Sequence, residues 1–538
     1  MAAPAFEKRL FTALFVGMIA LHAVGLLSTR LYPFTDIPDH LAAATIIRDA
    51  GEPAGRLARY YLVDTFMKPN TFHVAFCALR IFPSVEVANR LFFALYVSLF
   101  PIAVLAAIRK LGGNSWFAFL SFLLVYGYSV SWGFAGFALA IPLVVLFCTC
   151  FVLDPRGISH LPRVIGAASF LAFLYFVHVL AAMFCLFVLL VDAVARRERP
   201  AEAARGLAFT ALPLIVLVAA GWRAETRGSL GPGTLSFLAG YYLHSFVHTF
   251  PARCSLPILD NYHLFKGAAG YAIAGVFSFV IIAAAAFPRL AGRGDGSAAA
   301  FQRLLGRPDG PTAACPGFAP GPPDDAPART AGSVTGRPAG ALSILFAAVI
   351  CCLLLPNEIP QQSVLYERFS VLALLALVIY GGSRAPGRIR ASGAAVLVAL
   401  SVLHYTVWAN YLFDFNRENA GFDREFLRPA ASGEKLAGLI YDYTYRGRPI
   451  YIHFPSYYIV WQGGAATSDV TDYRFGPIRR AASALELPRY LEWVGKRDNY
   501  DGRYRDMDCI LMRGWPPGEA AAAQAGAGAL IPPEAEPT

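Results

Sequence analysis

Long apolar segments recur along this 538-residue chain, and they constrain its fold more than any other feature. A helix that crosses the hydrocarbon core of a bilayer needs about 20 predominantly apolar residues. With 56% hydrophobic and 15% charged residues, the chain has too little polar surface to hide these segments in a soluble core. The sequence therefore predicts an all-α polytopic membrane protein with about 11 transmembrane helices. The apolar segments predicted to cross the membrane, called windows below, are 10–29, 89–108, 115–131, 134–153, 164–178, 180–195, 206–222, 268–287, 341–356, 369–383 and 392–413.

Basic residues gather in short clusters between the windows, so the formal net charge of +10 indicates topology rather than a nucleic-acid partner. If the N-terminus is cytoplasmic, every short cluster falls on the cytoplasmic side, as the positive-inside tendency expects. We therefore expect a multi-pass protein of the cytoplasmic (inner) membrane that contacts membrane lipids and no nucleic acid. The clusters are Lys8 and Arg9, Arg109 and Lys110, Arg156 and Arg163, Arg196, Arg197 and Arg199, Arg289 and Arg293, and Arg384, Arg388 and Arg390.

The stretches between and after the windows divide the chain into units. Residues 288–340 are rich in Pro, Gly and Ala and bury too little to offset chain entropy, which predicts a disordered cytoplasmic linker. Residues 414–516 contain many aromatic residues and the strand-like run RPIYIHF (448–454), which predicts a small extracytoplasmic α/β domain. The expected units are a transmembrane module at 1–287 with an outer loop at 30–88, the linker, transmembrane helices at 341–413, the outer domain, and a disordered tail at 517–538.

A polar motif follows the first window directly. The stretch PFTDIPDHLAA (33–43) contains Asp36, Asp39 and His40, and Pro38 suits the first turn of a short helix that Gly51 would end. In such a helix the three polar side chains lie within about one turn and can face one cavity. The alternative is structural, because Asp36 could cap the helix and Asp39 could interact with its dipole. The residues alone favour neither interpretation.

Three stretches resemble the GT-C superfamily of membrane glycosyltransferases, which use polyprenyl-phosphate sugars. PFTDIPDHLAAATIIRDAG (33–51) resembles the first juxtamembrane helix of the family with its acidic motif, although DIPDH stands where DE and an aromatic residue are common. KPNTFHVAFCALRIFPSVEVANRLFFALYVSLFPIAVLAAIRKLGG (68–113) resembles the second short helix and the following span. YERFSVLALLALVIYGG (366–382) resembles the segment in which an Arg at the outer end of a span contacts lipid-linked phosphate.

The resemblance implies an inverting enzyme that moves a sugar from a polyprenyl-phosphate-linked donor to an extracytoplasmic lipid, glycan or protein. Asp36 is then the candidate base, and Asp39 either shares that role or helps to bind a divalent cation, the one cofactor expected. The candidate substrate-binding residues are His40, Lys68, Asn70, His73 and Arg368, and of these Lys68, Asn70 and Arg368 are placed to contact the leaving phosphate.

Structural alternatives accompany these assignments. His40 and His73 could be hydrogen-bonded core residues, and Arg368 could be an interfacial residue paired with Glu367. The second functional class is a non-catalytic lipid or polysaccharide transporter, or a membrane assembly factor. A transporter should carry ionisable residues near the middle of its spans, and these windows contain few. A structure in which Asp36 and Arg368 line one cavity would favour the enzyme, and opposite faces would contradict it.

Overall fold

A computed structural model describes most of residues 3–224, 246–259, 275–283, 337–481 and 507–514. The described part is mostly helical. Its helices are α1 (Ala3–Leu27), α2 (Ile37–Ala50), α3 (Phe72–Ala78), α4 (Val85–Lys110), α5 (Tyr128–Ser131), α6 (Ala135–Phe151), α7 (Leu161–Ala195), α8 (Pro200–Ala224), α9 (Phe246–Leu259), α10 (Arg337–Leu354), α11 (Ser370–Arg384), α12 (Ala391–Glu418) and α13 (Tyr457–Gln462).

Five helices in the described ranges are long and apolar enough to cross a membrane, namely Phe6–Leu27, Val85–Lys110, Leu161–Ala195, Pro200–Gly221 and Ala391–Glu418. Shorter apolar helical stretches lie at Ser115–Ser131, Ala135–Phe151 and Ala339–Leu354. The first of these is largely a 3₁₀ segment, Ser115–Leu124. The length and apolar composition of these helices indicate a membrane-embedded protein. The predicted count of about 11 spans is not confirmed. The window at 268–287 lies largely outside the described residues.

Helix α7 reverses direction at His178, whose backbone is extended (φ −166°, ψ 115°). Arg163 near its start hydrogen-bonds to the carbonyl oxygens of Cys150 and Gly157, at 2.6 and 2.5 Å. Arg196, directly after its end, donates to the carbonyl oxygen of Pro155 at 3.1 Å. A straight helix would separate these two arginines by about 50 Å. The halves 161–177 and 179–195 therefore run antiparallel, as the two separate windows at 164–178 and 180–195 require, so Leu161–Ala195 is two apolar helical segments rather than one continuous crossing helix.

Three of the six basic clusters that the sequence places on one side meet at one end of this bundle. Asp154, which is buried, lies 2.7 Å from Lys110 Nζ, 2.9 Å from Arg156 Nη2 and 3.7 Å from Arg163 Nη1. Its carbonyl oxygen also accepts a hydrogen bond from Arg196 at 3.2 Å. Four arginines and lysines from three clusters therefore share one location, while their orientation relative to a membrane stays a prediction.

The segment 414–516 keeps the label outer domain, and the loop at 30–88 the label outer loop, from the sequence prediction; their side of the membrane stays a prediction. The outer domain contains a small parallel sheet. Strand β2 (Lys435–Ile440) lies between β3 (Ala465–Ala466) and β5 (Cys509–Arg513), and both pair with it in parallel. A second, antiparallel pair joins β1 (Tyr61–Val63) to β4 (Ile478–Arg480). Because β1 belongs to the loop at 30–88, this pair attaches the first outer loop to the C-terminal domain.

Two expectations about chain segments need correction. The run at 448–454 is not a strand, because Arg446 (φ 46°) and Gly447 (φ 74°) reverse the chain before it and residues 451–453 form turns. Pro449 also lacks the donor that a ladder needs. The predicted linker at 288–340 ends earlier, because α10 already begins at Arg337. The rest of the linker and the tail lie outside the described residues.

The reversal of α7 can be tested by a distance between spin labels at Arg163→Cys and Arg196→Cys in a background without native cysteines. Antiparallel halves should give a distance well under half of the roughly 50 Å of a continuous helix. A second pair, at Leu161→Cys and Ala195→Cys, controls for the loss of the arginine contacts. A distance near 50 Å for either pair would contradict the fold.

Candidate active site

Helix α2 begins and ends as the sequence predicts, from Ile37 to Ala50, with Pro38 in the first turn and Gly51 at the C-cap. Asp36 occupies the N-cap position, yet its side chain makes no capping hydrogen bond. The capping interpretation of Asp36 therefore lacks its defining contact, and its carboxylate is directed toward another group.

That group is the imidazole of His453, which the outer domain contributes. His453 Nδ1 lies 2.9 Å from Asp39 Oδ2, and His453 Nε2 lies 3.6 Å from Asp36 Oδ1. The Ser456 hydroxyl donates a short hydrogen bond to Asp39 Oδ1. The side chains of His453 and Asp39 are 1% and 2% exposed, whereas that of Asp36 is 15% exposed. Asp36 is therefore the member of the cluster that solvent or a substrate can reach.

The turn that carries His453 is held by aromatic packing. A 3₁₀ turn, Phe454–Ser456, leads into α13, and both pack against α2. Tyr451 meets Phe454 edge to face at 4.8 Å, and Phe422 stacks on Phe454 at 5.0 Å. Sequence reasoning missed His453 and Ser456. Their signal is a histidine and a serine three residues apart in a run that is otherwise aromatic and aliphatic.

His40 lies between this cluster and a buried histidine. Its ring meets that of His73 edge to face at 5.2 Å, and it hydrogen-bonds to the backbone of Gly133. Burial lowers the pKa of His40 to about 4 although the nearby Asp39 carboxylate raises it. His40 is therefore neutral at pH 7 and can act as a polar neighbour of the carboxylates.

His73 has the environment of a core residue. Its Nε2 lies 2.9 Å from Asn89 Oδ1, its ring contacts Phe92 at 4.5 Å, and burial lowers its pKa to about 3. The side chain is 1% exposed. These contacts favour the structural alternative for His73, which supports α3 behind His40.

The segment Trp132–Gly133–Phe134 connects the carboxylates to Arg368. The Trp132 carbonyl oxygen accepts a hydrogen bond from the Asp36 amide at 3.1 Å. Two residues on, the Arg368 guanidinium lies over the Phe134 ring, 3.8 Å from its centre. Two residues span at most roughly 7 Å of chain. Asp36 and Arg368 therefore contact the same segment, Asp36 through its backbone amide and Arg368 through the Phe134 ring. A cavity lined by both side chains stays a prediction.

Arg368 is held by three elements. Its Nε donates to the Val364 carbonyl oxygen at 2.9 Å, and its Nη1 donates to His178 Nε2 at 3.1 Å. Because an arginine only donates, His178 must carry its proton on Nδ1. The guanidinium is thus fixed by a backbone carbonyl, by the reversal point of α7 and by the Phe134 ring.

Lys68 and Asn70 lie on a loop that supports the same region. The Asn70 side-chain oxygen accepts from the Val179 amide at 2.8 Å, directly after the break at His178, and its φ of 61° suits an asparagine. Lys68 is fully buried, and its Nζ lies 3.7 Å from Asp64 Oδ2. Asp64 also pairs with Arg479 at 2.8 Å across the β1–β4 contact. These contacts support structural roles for Lys68 and Asn70.

A metal site has no geometric support in the described part of the chain. Within it, no group of three or more His, Cys, Asp or Glu residues is arranged to hold a metal ion. Both oxygens of Asp39 already contact His453 or Ser456. The divalent cation therefore stays a prediction.

Comparisons with known proteins give no assignment: no protein-family model, no curated protein and no solved structure matches this chain.

The close approach at Gly133 predicts a sensitive position. A Cβ at this residue would lie 2.7 Å from the Asp36 amide nitrogen, and φ of +82° is strained for any other residue. Gly133→Ala should therefore displace the start of α2 and cost about 1–3 kcal/mol of local strain. Thermal unfolding in detergent measures the loss. Gly112→Ala is the control, because Gly112 also has a positive φ but an added Cβ there would have no atom within 4 Å. Equal stability of the two variants would contradict the close contact at Gly133.

The pKa values of His40 and His73 predict acid destabilisation. Both values lie below the 6.5 of an unfolded histidine, so the unfolded chain binds more protons and stability falls as the pH drops from about 6.5 toward 4. Thermal unfolding between pH 7 and pH 4 should show this. His73→Gln should flatten the pH dependence because glutamine does not titrate, while its amide can still donate to Asn89 Oδ1 and preserve that contact. An identical pH slope in His73→Gln would contradict the assignment.

Proposed function

We propose that this protein is an inverting membrane glycosyltransferase that transfers a sugar from a polyprenyl-phosphate-linked donor to an acceptor at the end of the helix bundle where the outer domain lies. The observation that carries the proposal is that one three-residue segment, 132–134, contacts both Asp36, through its backbone amide, and the Arg368 guanidinium, through the Phe134 ring. Such a transfer needs a base for the acceptor and a cation for the leaving phosphate.

Asp36 is the group suited to receive the acceptor proton. As the acceptor hydroxyl oxygen forms a bond to the anomeric carbon, its proton passes to the Asp36 carboxylate. The bond between the anomeric carbon and the phosphate oxygen breaks, and the electron pair leaves with the phosphate. The partial exposure of Asp36 supports this role, because its neighbour Asp39 is enclosed by His453 and Ser456.

Arg368 is the group suited to stabilise the leaving phosphate. A guanidinium offers several donors in a fixed plane, which suits phosphate oxygens. Its position on the Phe134 ring, beside the reversal of α7, restricts its motion and leaves less entropy to lose when a phosphate binds. Glu367, the adjacent residue, has its pKa raised to about 7 by burial, so its charge competes less with a bound phosphate than that of an ordinary glutamate.

One observation favours the transporter as a second candidate. His22 and His404 are fully buried in two candidate spans, and His22 Nδ1 lies 2.8 Å from the Tyr126 hydroxyl. Ionisable residues within spans often mark transport pathways. Uptake of a labelled polyprenyl-phosphate sugar into sealed vesicles, without transfer to an acceptor, would favour this candidate.

Asp36→Asn separates catalysis from structure. The substitution keeps the shape and removes the charge, so kcat for release of polyprenyl phosphate from synthetic polyprenyl-phosphate hexoses or pentoses should fall by roughly 10² or more. Thermal stability should change little, because the side chain makes no capping bond. Glu52→Gln is the control, a neutralised carboxylate just beyond the same helix and half exposed. Normal turnover in Asp36→Asn would refute the catalytic assignment.

A further inference from the structure

His453 has a carboxylate facing each of its two ring nitrogens. Asp39 lies at Nδ1 and Asp36 lies at Nε2, and the two carboxylates are three residues apart in one helical turn. The ring is buried, and it comes from a segment more than 400 positions along the chain from α2. This arrangement orients an imidazole between an enclosed carboxylate and an accessible one.

The enclosed carboxylate fixes the state of the ring. Asp39 accepts from the Ser456 hydroxyl through Oδ1, and its Oδ2 lies 2.9 Å from His453 Nδ1 without the alignment of a hydrogen bond. A nitrogen lone pair this close to a carboxylate oxygen would be repelled, so the Nδ1 position is the one that carries a proton in the neutral ring. The lone pair of Nε2 then points toward Asp36. A carboxylate that orients an imidazole in this way also stabilises the imidazolium that forms when the ring accepts a second proton.

We propose that His453 is the proton acceptor that restores Asp36 after each transfer, which makes the outer domain part of the active site rather than an appended binding module. The inference rests on the proposed function. During turnover Asp36 gains the proton of the acceptor hydroxyl. That proton then moves from the Asp36 carboxyl to His453 Nε2, the ring becomes an imidazolium between two carboxylates, and the proton passes to water once the product has left.

The surroundings of the ring are compatible with this step. The titratable groups that face or lie near His453 are Asp36, Asp39 and His40, with Tyr61 near Asp39. His40 and Tyr61 are neutral at pH 7, because burial lowers the pKa of His40 to about 4 and raises that of Tyr61 well above its usual range. The two carboxylates are therefore the charges closest to the imidazolium, and both favour it.

Two variants test the role of the ring. In His453→Asn the amide can still donate to Asp39, but no atom remains at the Nε2 position. The protein should fold, and kcat should fall at least 30-fold with little change in KM for the lipid donor. In His453→Gly, added imidazoles should restore part of the rate, and the restored rate should increase with the basicity of the imidazole. His453→Asn with kcat within threefold of wild type, or rescue that is absent or independent of basicity, would overturn the relay.

A substrate-free measurement separates this inference from the proposed function. In protein labelled with ¹⁵N-histidine, the signal lost in His453→Asn identifies the ring, and Asp36→Asn should shift its Nε2 resonance. No shift would overturn the relay while leaving the glycosyltransferase proposal intact. A shift combined with a wild-type protein that releases no polyprenyl phosphate would refute the proposed function and the relay with it.

Discussion

The contact between His453 and Asp39 is the interaction on which the site depends. It joins the outer domain to α2, the first helix after the first candidate span, and it encloses one carboxylate while leaving Asp36 accessible. Removing the imidazole would leave the buried Asp39 carboxylate without this neighbour, and an uncompensated buried charge is strongly destabilising. The antiparallel β1–β4 pair acts alongside it, since it fixes the same outer loop to the same domain.

The position of Arg368, the cationic residue of the site, depends on the reversal of α7. Because the chain turns at His178, a histidine reaches Arg368 at the end of the bundle opposite the basic clusters around Asp154. Asn70 accepts from the first amide after the break and thereby supplies a partner that the helix itself lacks. The segment 132–134 then contacts Arg368 through the Phe134 ring and the Asp36 amide through the Trp132 carbonyl oxygen.

Local patterns predicted part of this arrangement. Helix α2 follows from Pro38, its apolar residues and Gly51, and the two windows at 164–178 and 180–195 anticipate the halves of α7. The role of His453 could not be predicted, because the contact with Asp39 joins residues far apart in sequence and depends on how the outer domain docks. The run at 448–454 alternates like a strand, but the preceding reversal at Arg446 and Gly447 turns it into a loop. The positive charge of Lys68 predicts phosphate binding, whereas its burial beside Asp64 supports a structural role that the sequence alone does not indicate.

The central claim is that Asp36 and Arg368 serve one phosphate-containing lipid substrate. A cryo-electron microscopy map of the protein with bound polyprenyl phosphate tests it most directly. The account predicts phosphate density within hydrogen-bonding distance of the Arg368 guanidinium, on the side of segment 132–134 where Asp36 lies. Phosphate density at the opposite end of the bundle, among Arg156, Arg163 and Arg196, would contradict it.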